Sequence, residues 1–214
     1  MDGSLFVLGQ YTNTVTNLTS ADYDAFLTDN FGPVASTVNA SFPLSLFSQT
    51  PLPVFFAMSE VITDYAYKCP AYRGAILASQ NGVPVYTYSF NHTPSCSWEA
   101  GIPNDPQALS LLGATHTAEI PFVFGNLDNF PLPNGNCSFN SAERSISGQL
   151  IEAWTSMAAS GAPNTSSLQW PLFTANGTQG ININSTSVFA GTIDYSVCAQ
   201  LWDKIDAGIL QNAL

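Results

Sequence analysis

The sequence predicts an α/β fold in which amphipathic helices surround a buried strand. Apolar residues recur at helical spacing along Pro51–Tyr67 and again along a long segment that ends near Ser160. Between them, Val83–Phe90 is rich in β-branched and aromatic residues and follows the turn pair Asn81-Gly82, a pattern typical of a buried strand. With 214 residues, 45% of them hydrophobic, the chain can form one domain over residues 1–214.

Short helices are predicted before this strand. Thr19 or Ser20 can cap a helix over residues 20–30, which Gly32-Pro33 stops, and a second short helix follows. Cys69-Pro70 is expected to end the helix over residues 51–67, because proline interrupts helical hydrogen bonds, and Ala71–Ser79 begins another.

After the strand, Asn140 or Ser141 is expected to cap a long helix that Gly161 terminates. Ser187–Ile193 is a candidate edge strand, and Ser196–Leu210 is predicted as the closing helix. The side chains expected to face inward are Ile146, Leu150, Trp154 and Met157 in the long helix, and Leu201, Trp202, Ile205 and Ile209 in the closing helix.

The charge balance excludes several classes of partner. Only 4 Lys and Arg oppose 15 Asp and Glu, for a net charge of −11. Binding to nucleic acid or to an anionic membrane surface requires clustered basic residues, which this chain lacks. No apolar run is long enough to span a bilayer, and the first residues lack the basic and apolar regions of a signal peptide.

Other features nevertheless indicate a secreted protein. Several N-x-[ST] glycosylation acceptors and 4 cysteines are typical of an oxidising, extracellular environment. The simplest way to reconcile these features with the missing signal peptide is that the chain is part of a longer secreted protein. The acceptors are Asn17, Asn39, Asn91, Asn136, Asn164, Asn176 and Asn184.

The 4 cysteines allow three disulfide connectivities, and their spacing does not choose among them. Because no C-x-x-C pair occurs, the spacing does not favour metal binding by these cysteines. The sequence also lacks an internal repeat, a phosphate-binding glycine loop and a cluster of metal ligands, so no cofactor is implied.

One of the 2 histidines, His116, lies in a segment suited to catalysis. Small residues surround it, and the apolar run Ile120–Phe124 behind it can hold the loop against a core. An imidazole has an unperturbed pKa of about 6.5, which suits a general base near neutral pH. The alternative is a surface loop in which His116 has only a capping role.

The segment Gly113-Ala-x-His116-x-x-Glu119-Ile-Pro-Phe-Val-Phe-Gly125 resembles the catalytic-histidine segment of the type B carboxylesterases. This family of α/β-hydrolases includes cholinesterases and fungal lipases. The resemblance implies the C-terminal part of an α/β-hydrolase fold, a mostly parallel sheet flanked by helices that is incomplete without upstream strands. The resemblance implies that His116 is the base of a Ser-His-acid triad and that Glu119 orients the loop. Phe90-Asn91-His92 resembles the end of a central parallel strand in the family, which implies a structural role for His92.

The family resemblance extends to the first residues. The acid of the triad precedes a Gly-(Ser/Thr)-x-Phe segment in the family, and Asp2 occupies that place before Gly3–Phe6, a turn that leads into an apolar stretch. The usual acid is glutamate, but aspartate can also accept the hydrogen bond that orients an imidazole. The alternative is that Asp2 is a frayed terminal residue.

The resemblance also implies a disulfide pairing. Cys69-Pro70 is similar to a family Cys-Pro at a helix end, and Cys198 is similar to its C-terminal partner. This pairing leaves Cys96 to bond Cys137.

The nucleophile of such an enzyme is missing from these residues. An α/β-hydrolase carries its serine in a G-x-S-x-G elbow, and neither this motif nor the oxyanion glycine motif occurs here. We therefore expect the C-terminal portion of a secreted carboxylesterase or lipase, acting on an ester or lipid substrate without a cofactor, and inactive alone. The alternatives are a non-catalytic, cholinesterase-like adhesion domain that binds a partner, and a secreted α/β domain of another kind.

Overall fold

The computed structural model describes residues 2–11, 14–99, 101–127, 137–175 and 177–212. These residues form helices and one three-stranded mixed sheet. They separate into two compact units, here called the first unit (Met1–Tyr72 with Tyr195–Leu214) and the second unit (Arg73–Asp194).

The described α-helices and β-strands are numbered in chain order. They are α1 (Gly3–Gln10), α2 (Ser20–Phe31), α3 (Ala35–Ser41), α4 (Pro53–Ile62), α5 (Cys69–Gln80), β1 (Tyr88–Phe90), α6 (Pro106–Leu112), α7 (Ile120–Phe124), α8 (Ser141–Ser160), β2 (Gln179–Ile183), β3 (Val188–Thr192) and α9 (Asp203–Asn212).

Local capping defines α2 in the first unit. The Thr19 hydroxyl accepts a hydrogen bond from the Asp22 amide at 3.4 Å, and Asp22 Oδ2 accepts one from the Thr19 amide at 2.7 Å. This capping box satisfies two amides that the first turn would otherwise leave unpaired. Gly32 ends the helix with φ +48. The predicted helix and its cap are confirmed, and α3 is the second short helix expected after it.

The expected helix break at Cys69-Pro70 is wrong. A π-helical segment, Thr63–Lys68, joins α4 directly to α5, and Pro70 lies in the first turn of α5. Proline is tolerated where the i to i−4 hydrogen bond of its missing N–H is not required. In the π-helical segment the backbone bonds run from i to i−5, as in the bond from the Cys69 amide to the Asp64 carbonyl. The i to i−4 bond that Pro70 cannot make is therefore not required at this point.

The core of the first unit forms around Trp202. Its side chain is fully buried, with ring centroids of Tyr65, Phe31 and Phe42 at 5.2, 5.5 and 6.1 Å. Trp202 belongs to a second π-helical segment, Cys198–Trp202, which leads into α9. Of the residues predicted to face inward here, Leu201, Trp202 and Ile205 are buried, whereas the side chain of Ile209 lies outside the described residues.

The second unit contains the sheet, with strand order β1-β2-β3. β1 is parallel to β2, with Tyr88 opposite Ile181, and β2 is antiparallel to β3. β3 confirms the predicted edge strand. β2 was not predicted, because only Ile181 and Ile183 alternate with polar residues in a Gly- and Asn-rich segment.

The predicted buried strand Val83–Phe90 is wrong in length and burial. Only its last three residues pair as β1, while Val83 is 54% exposed and Tyr88 is 39% exposed. The extended backbone before β1 forms isolated contacts instead, such as the hydrogen bond from the Phe173 amide to the Val85 carbonyl at 2.8 Å. A parallel strand becomes buried when it has strand neighbours and covered faces, and β1 has one strand neighbour among the described residues.

Helix α8 covers the core of the second unit. Asn140 caps it, and Ile146, Leu150 and Ala153 are buried along one face. Gly161 ends the helix in the left-handed conformation, with φ +77. The predicted helix and its Asn140 cap are confirmed. Trp154 is only partly buried and Met157 is 41% exposed, so the inward face is narrower than predicted.

The first turn of α8 holds a fully buried carboxylate, Glu143. Its Oε1 accepts hydrogen bonds from His92 Nε2 at 2.8 Å and from the Ser95 amide at 2.7 Å. Its Oε2 accepts from the Ser95 hydroxyl and from the Asn140 amide. Burial alone would raise the pKa of Glu143, but these hydrogen bonds outweigh burial and lower the pKa below its ordinary value.

This lowered pKa makes the stability of the second unit dependent on pH. A carboxyl group with a lower pKa in the folded state stabilises the fold above its unfolded pKa, about 4.3 for glutamate, and loses this effect as the pH falls through the folded value. Glu143→Gln should therefore lower the free energy of unfolding at pH 7 by about 3 kcal/mol. The difference from the wild type should shrink in acid, as measured by urea unfolding between pH 7 and pH 3.

Glu152→Gln is the matched control, because Glu152 is an exposed carboxylate on the same helix. Its unfolding curves should follow those of the wild type. A destabilisation by Glu143→Gln that is equally large at every pH would contradict the role assigned to the ionised carboxylate.

Candidate active site

His116 lies in a turn between two short helices. Helix α6 ends at Gly113, which has φ +64, and α7 begins after Glu119. The sequence did not predict a helix directly before this turn. The capping of α6 explains the difference, because the Asp105 carboxylate accepts from the Ala108 amide at 3.0 Å and Pro106 suits the first helical turn.

The residues next to His116 are anchored, while His116 itself is partly exposed. Thr115 is 2% exposed and Ala118 is completely buried. The Ala118 amide donates to the Thr115 carbonyl at 3.1 Å, which closes a tight turn around the histidine. The small residues around His116 allow the backbone of the turn to pack against the core. The imidazole therefore extends from a backbone that is held in place.

The residue after His116 has an unusual backbone conformation. Thr117 has φ +72, the one described non-glycine residue with a positive φ. A β-branched residue is strained in this left-handed region, so neighbouring contacts must compensate. One contact is the indole N–H of Trp98, which donates to Thr117 Oγ1 at 3.0 Å.

Helix α7 fixes the other end of the turn. Phe122 is fully buried against Phe139 and Phe90, with ring centroids 5.4 and 5.3 Å away. The Ser147 hydroxyl of α8 donates to the Phe122 carbonyl at 2.7 Å. The apolar run after His116 therefore holds the turn against a core, as predicted, although it does so as a helix.

Two disulfides are present, and their pairing agrees with the one implied by the resemblance. Cys69 bonds Cys198 within the first unit, and Cys96 bonds Cys137 within the second unit. The Cα atoms are 5.2 and 5.8 Å apart, respectively. Cys96 lies two residues before Trp98, so the second disulfide restrains the segment that contacts the His116 turn.

Asp2 lies in the first unit, at the N-terminal end of α1. It is partly buried and makes no capping hydrogen bond with its side chain. The Gly3 amide donates to Thr63 Oγ1 at 2.9 Å, and a Cβ at Gly3 would lie 2.3 Å from the Ser59 carbonyl oxygen, so α1 packs closely on α4 here. His116 belongs to the second unit, and the pairing of Asp2 with His116 stays a prediction.

The other histidine, His92, is 4% exposed and holds Glu143. Because a carboxylate only accepts, Nε2 must carry the proton in this contact. Nδ1 is buried without a hydrogen-bond partner among the described residues. This location favours the structural role implied for His92. Across the described ranges, no group of three or more His, Cys, Asp or Glu side chains could hold a metal ion.

The predicted glycosylation acceptors have different surroundings. Asn39 lies within α3, whereas Asn184 lies between β2 and β3 and accepts a hydrogen bond from the Thr186 amide at 3.0 Å. Asn136 and Asn176 lie outside the described residues, and glycosylation stays a prediction. The exposed acceptors are Asn17, Asn91 and Asn164.

Sequence reasoning missed two residues that shape this site. Glu143 follows Asn140 at the spacing of a capping box, a signal that could have identified it. Trp98 has no such signal, because its partner Thr117 is 19 positions away and no local pattern links them. In the part of the chain that the structure describes, no helix has the length and apolar character that a membrane crossing requires.

Known proteins provide an independent comparison. The model of the carboxylesterase family matches residues 49–200, a span that contains His116 and all 4 cysteines but not Asp2. Acetylcholinesterase from Leptinotarsa decemlineata is 29% identical over 157 residues, which are 73% of this chain and 23% of that protein. Para-nitrobenzyl esterase from Bacillus subtilis (strain 168) is 28% identical over 141 residues, which are 66% of this chain and 24% of that protein.

The chain thus spans about a quarter of the length of these two relatives. The family model, in contrast, covers well over half of the chain itself. On this evidence the chain belongs to the carboxylesterase family.

Proposed function

We propose that this chain is the C-terminal portion of a secreted carboxylic ester hydrolase and that His116 is its catalytic base. The observation that carries the proposal is the His116 turn, in which a partly exposed imidazole stands between the buried residues Thr115 and Ala118. A general base must be held at a fixed angle and still reach its substrate. The turn lies inside the span that matches the family model.

In the proposed reaction, a serine from a segment outside residues 1–214 attacks the ester carbonyl. His116 takes the serine proton and returns it to the leaving alcohol, and water then releases the acyl group by the same route. Asp2 accepts a hydrogen bond from the imidazole and stabilises its charged form. The assignment of Asp2 rests on its place in the sequence, because the family match begins at residue 49.

The names of the relatives support the reaction class. One is a cholinesterase and the other an esterase of para-nitrobenzyl groups, so an ester bond is common to both names. The acyl and alcohol groups are left open. The proposal includes an extracellular location, since both disulfides and the exposed glycosylation acceptors fit an oxidising compartment.

The 214-residue chain alone should not turn over a short-chain nitrophenyl ester. It has no G-x-S-x-G serine and no oxyanion glycine motif, and loss of one oxyanion donor alone costs about a hundredfold or more in rate. The measurement is a stopped-flow and steady-state assay of the wild type beside His116→Ala, with labelling by a fluorescent organophosphonate.

Neither the wild type nor His116→Ala should show a burst, turnover above buffer or phosphonate labelling. Phosphonate-sensitive turnover in the wild type that is lost in His116→Ala would contradict the proposal, because a serine within residues 1–214 would then be the nucleophile.

The coding sequence upstream of Met1, read in frame, should encode a G-E-S-x-G motif. In the correspondingly extended polypeptide, His116→Ala should lower kcat by about ten-thousandfold or more, because the serine loses its base. Asp2→Asn should lower kcat by a similar factor. His92→Ala is the control for His116→Ala, and it should reduce thermal stability while changing kcat far less. Asp24→Asn is the control for Asp2→Asn and should leave kcat unchanged, because Asp24 is an exposed carboxylate of α2.

An extended polypeptide that carries the serine but keeps its activity in His116→Ala would contradict the assignment of the base. If the upstream sequence lacks a serine elbow, the hypothesis of a non-catalytic, adhesion-type domain would replace the proposed enzyme function.

A further inference from the structure

The strained residue of the candidate site lies directly beside the proposed base. Thr117 has φ +72, and its β-branched side chain makes this conformation unfavourable without support. Glycine would adopt the same backbone angles without steric cost. A threonine at this position gains from its hydroxyl, which accepts the indole N–H of Trp98 at 3.0 Å.

Trp98 is itself held firmly. Its side chain is 5% exposed, and Cys96 nearby is buried in the disulfide with Cys137. The Ser97 hydroxyl donates to the Ile102 carbonyl at 2.7 Å, and the Ser97 amide donates to Asn104 Oδ1 at 3.2 Å. The indole therefore approaches Thr117 from a segment with little freedom of its own.

We propose that Trp98 is a positioning residue for His116. Its indole N–H holds Thr117 in the left-handed conformation, and this conformation sets the direction in which the neighbouring imidazole leaves the turn. Buried Thr115 and Ala118 fix the ends of the turn, whereas the Trp98 contact selects its central backbone angles. The catalytic consequence rests on the proposed function of His116; the geometric one does not.

The geometry provides a test that needs no activity. The chain has 2 histidines, so His92 is an internal reference for His116 in long-range ¹H–¹⁵N spectra of the imidazole rings. Trp98→Phe removes the N–H donor and keeps an aromatic ring. It should shift the His116 ring resonances and increase the mobility of the amides of residues 115–118, while the His92 ring stays unchanged.

Thr117→Val is a second variant, which removes the acceptor with almost the same side-chain shape and leaves Trp98 in place. It should shift the His116 resonances as Trp98→Phe does, and the double variant should add little to either one. Trp154→Phe is the matched control, since Trp154 is a partly buried tryptophan of the same unit that packs on Trp170 with centroids 5.4 Å apart.

The proposal is overturned if Thr117→Val leaves the His116 ring unchanged, or if both variants move the His92 ring as much as the His116 ring. It is also overturned if Trp154→Phe reproduces the shift, because the effect would then be a general loosening of the fold.

The extended polypeptide connects this geometry to catalysis. There, Trp98→Phe should lower kcat about tenfold to a hundredfold with little change in KM, since a misdirected base impairs the chemical step more than binding. An unchanged kcat beside a shifted His116 ring would overturn the catalytic part alone. An active His116→Ala variant would instead overturn the proposed function and leave the Trp98 contact standing.

Discussion

The second unit depends on the hydrogen bonds that the buried carboxylate of Glu143 accepts. This carboxylate caps the start of α8 and also accepts hydrogen bonds from His92 and Ser95, on the segment that follows β1. An ionised group without exposure to water is tolerated only when such donors replace the lost solvation. The same contacts therefore join the long helix to the end of the first strand.

The hydrogen bonds of Glu143 also restrain the segment that contacts the His116 turn. Ser95 precedes Cys96, which bonds Cys137, and Trp98 comes two residues later. A segment held by a carboxylate at one end and by a disulfide next to it can present its indole at a defined position. The strain at Thr117 can persist because the surrounding contacts are already fixed.

The sequence predicted the elements that local interactions determine. α2 and α8 have caps within four residues of their starts, and their boundaries followed from those caps. The predicted break at Pro70 and the predicted strand from Val83 were wrong because a π turn and strand pairing depend on neighbours that local patterns do not show. The disulfide pairing came from the family resemblance, which the family match has confirmed.

That family implies an α/β-hydrolase fold, and a small mixed sheet with flanking helices is consistent with part of one. The motif around His116 identified this residue from the sequence alone. The contacts of Trp98 and Glu143 join residues 19 and 51 positions apart, so only the three-dimensional structure could reveal them.

In the proposed mechanism, one histidine has a structural role and the other a chemical one. His92 is almost completely buried, and its Nε2 proton is committed to Glu143, so it has neither access to a substrate nor a free choice of hydrogen-bond role. His116 is partly exposed on a turn whose flanking residues are buried. A base that must gain and lose a proton in each cycle needs access to its substrate, which a buried imidazole lacks.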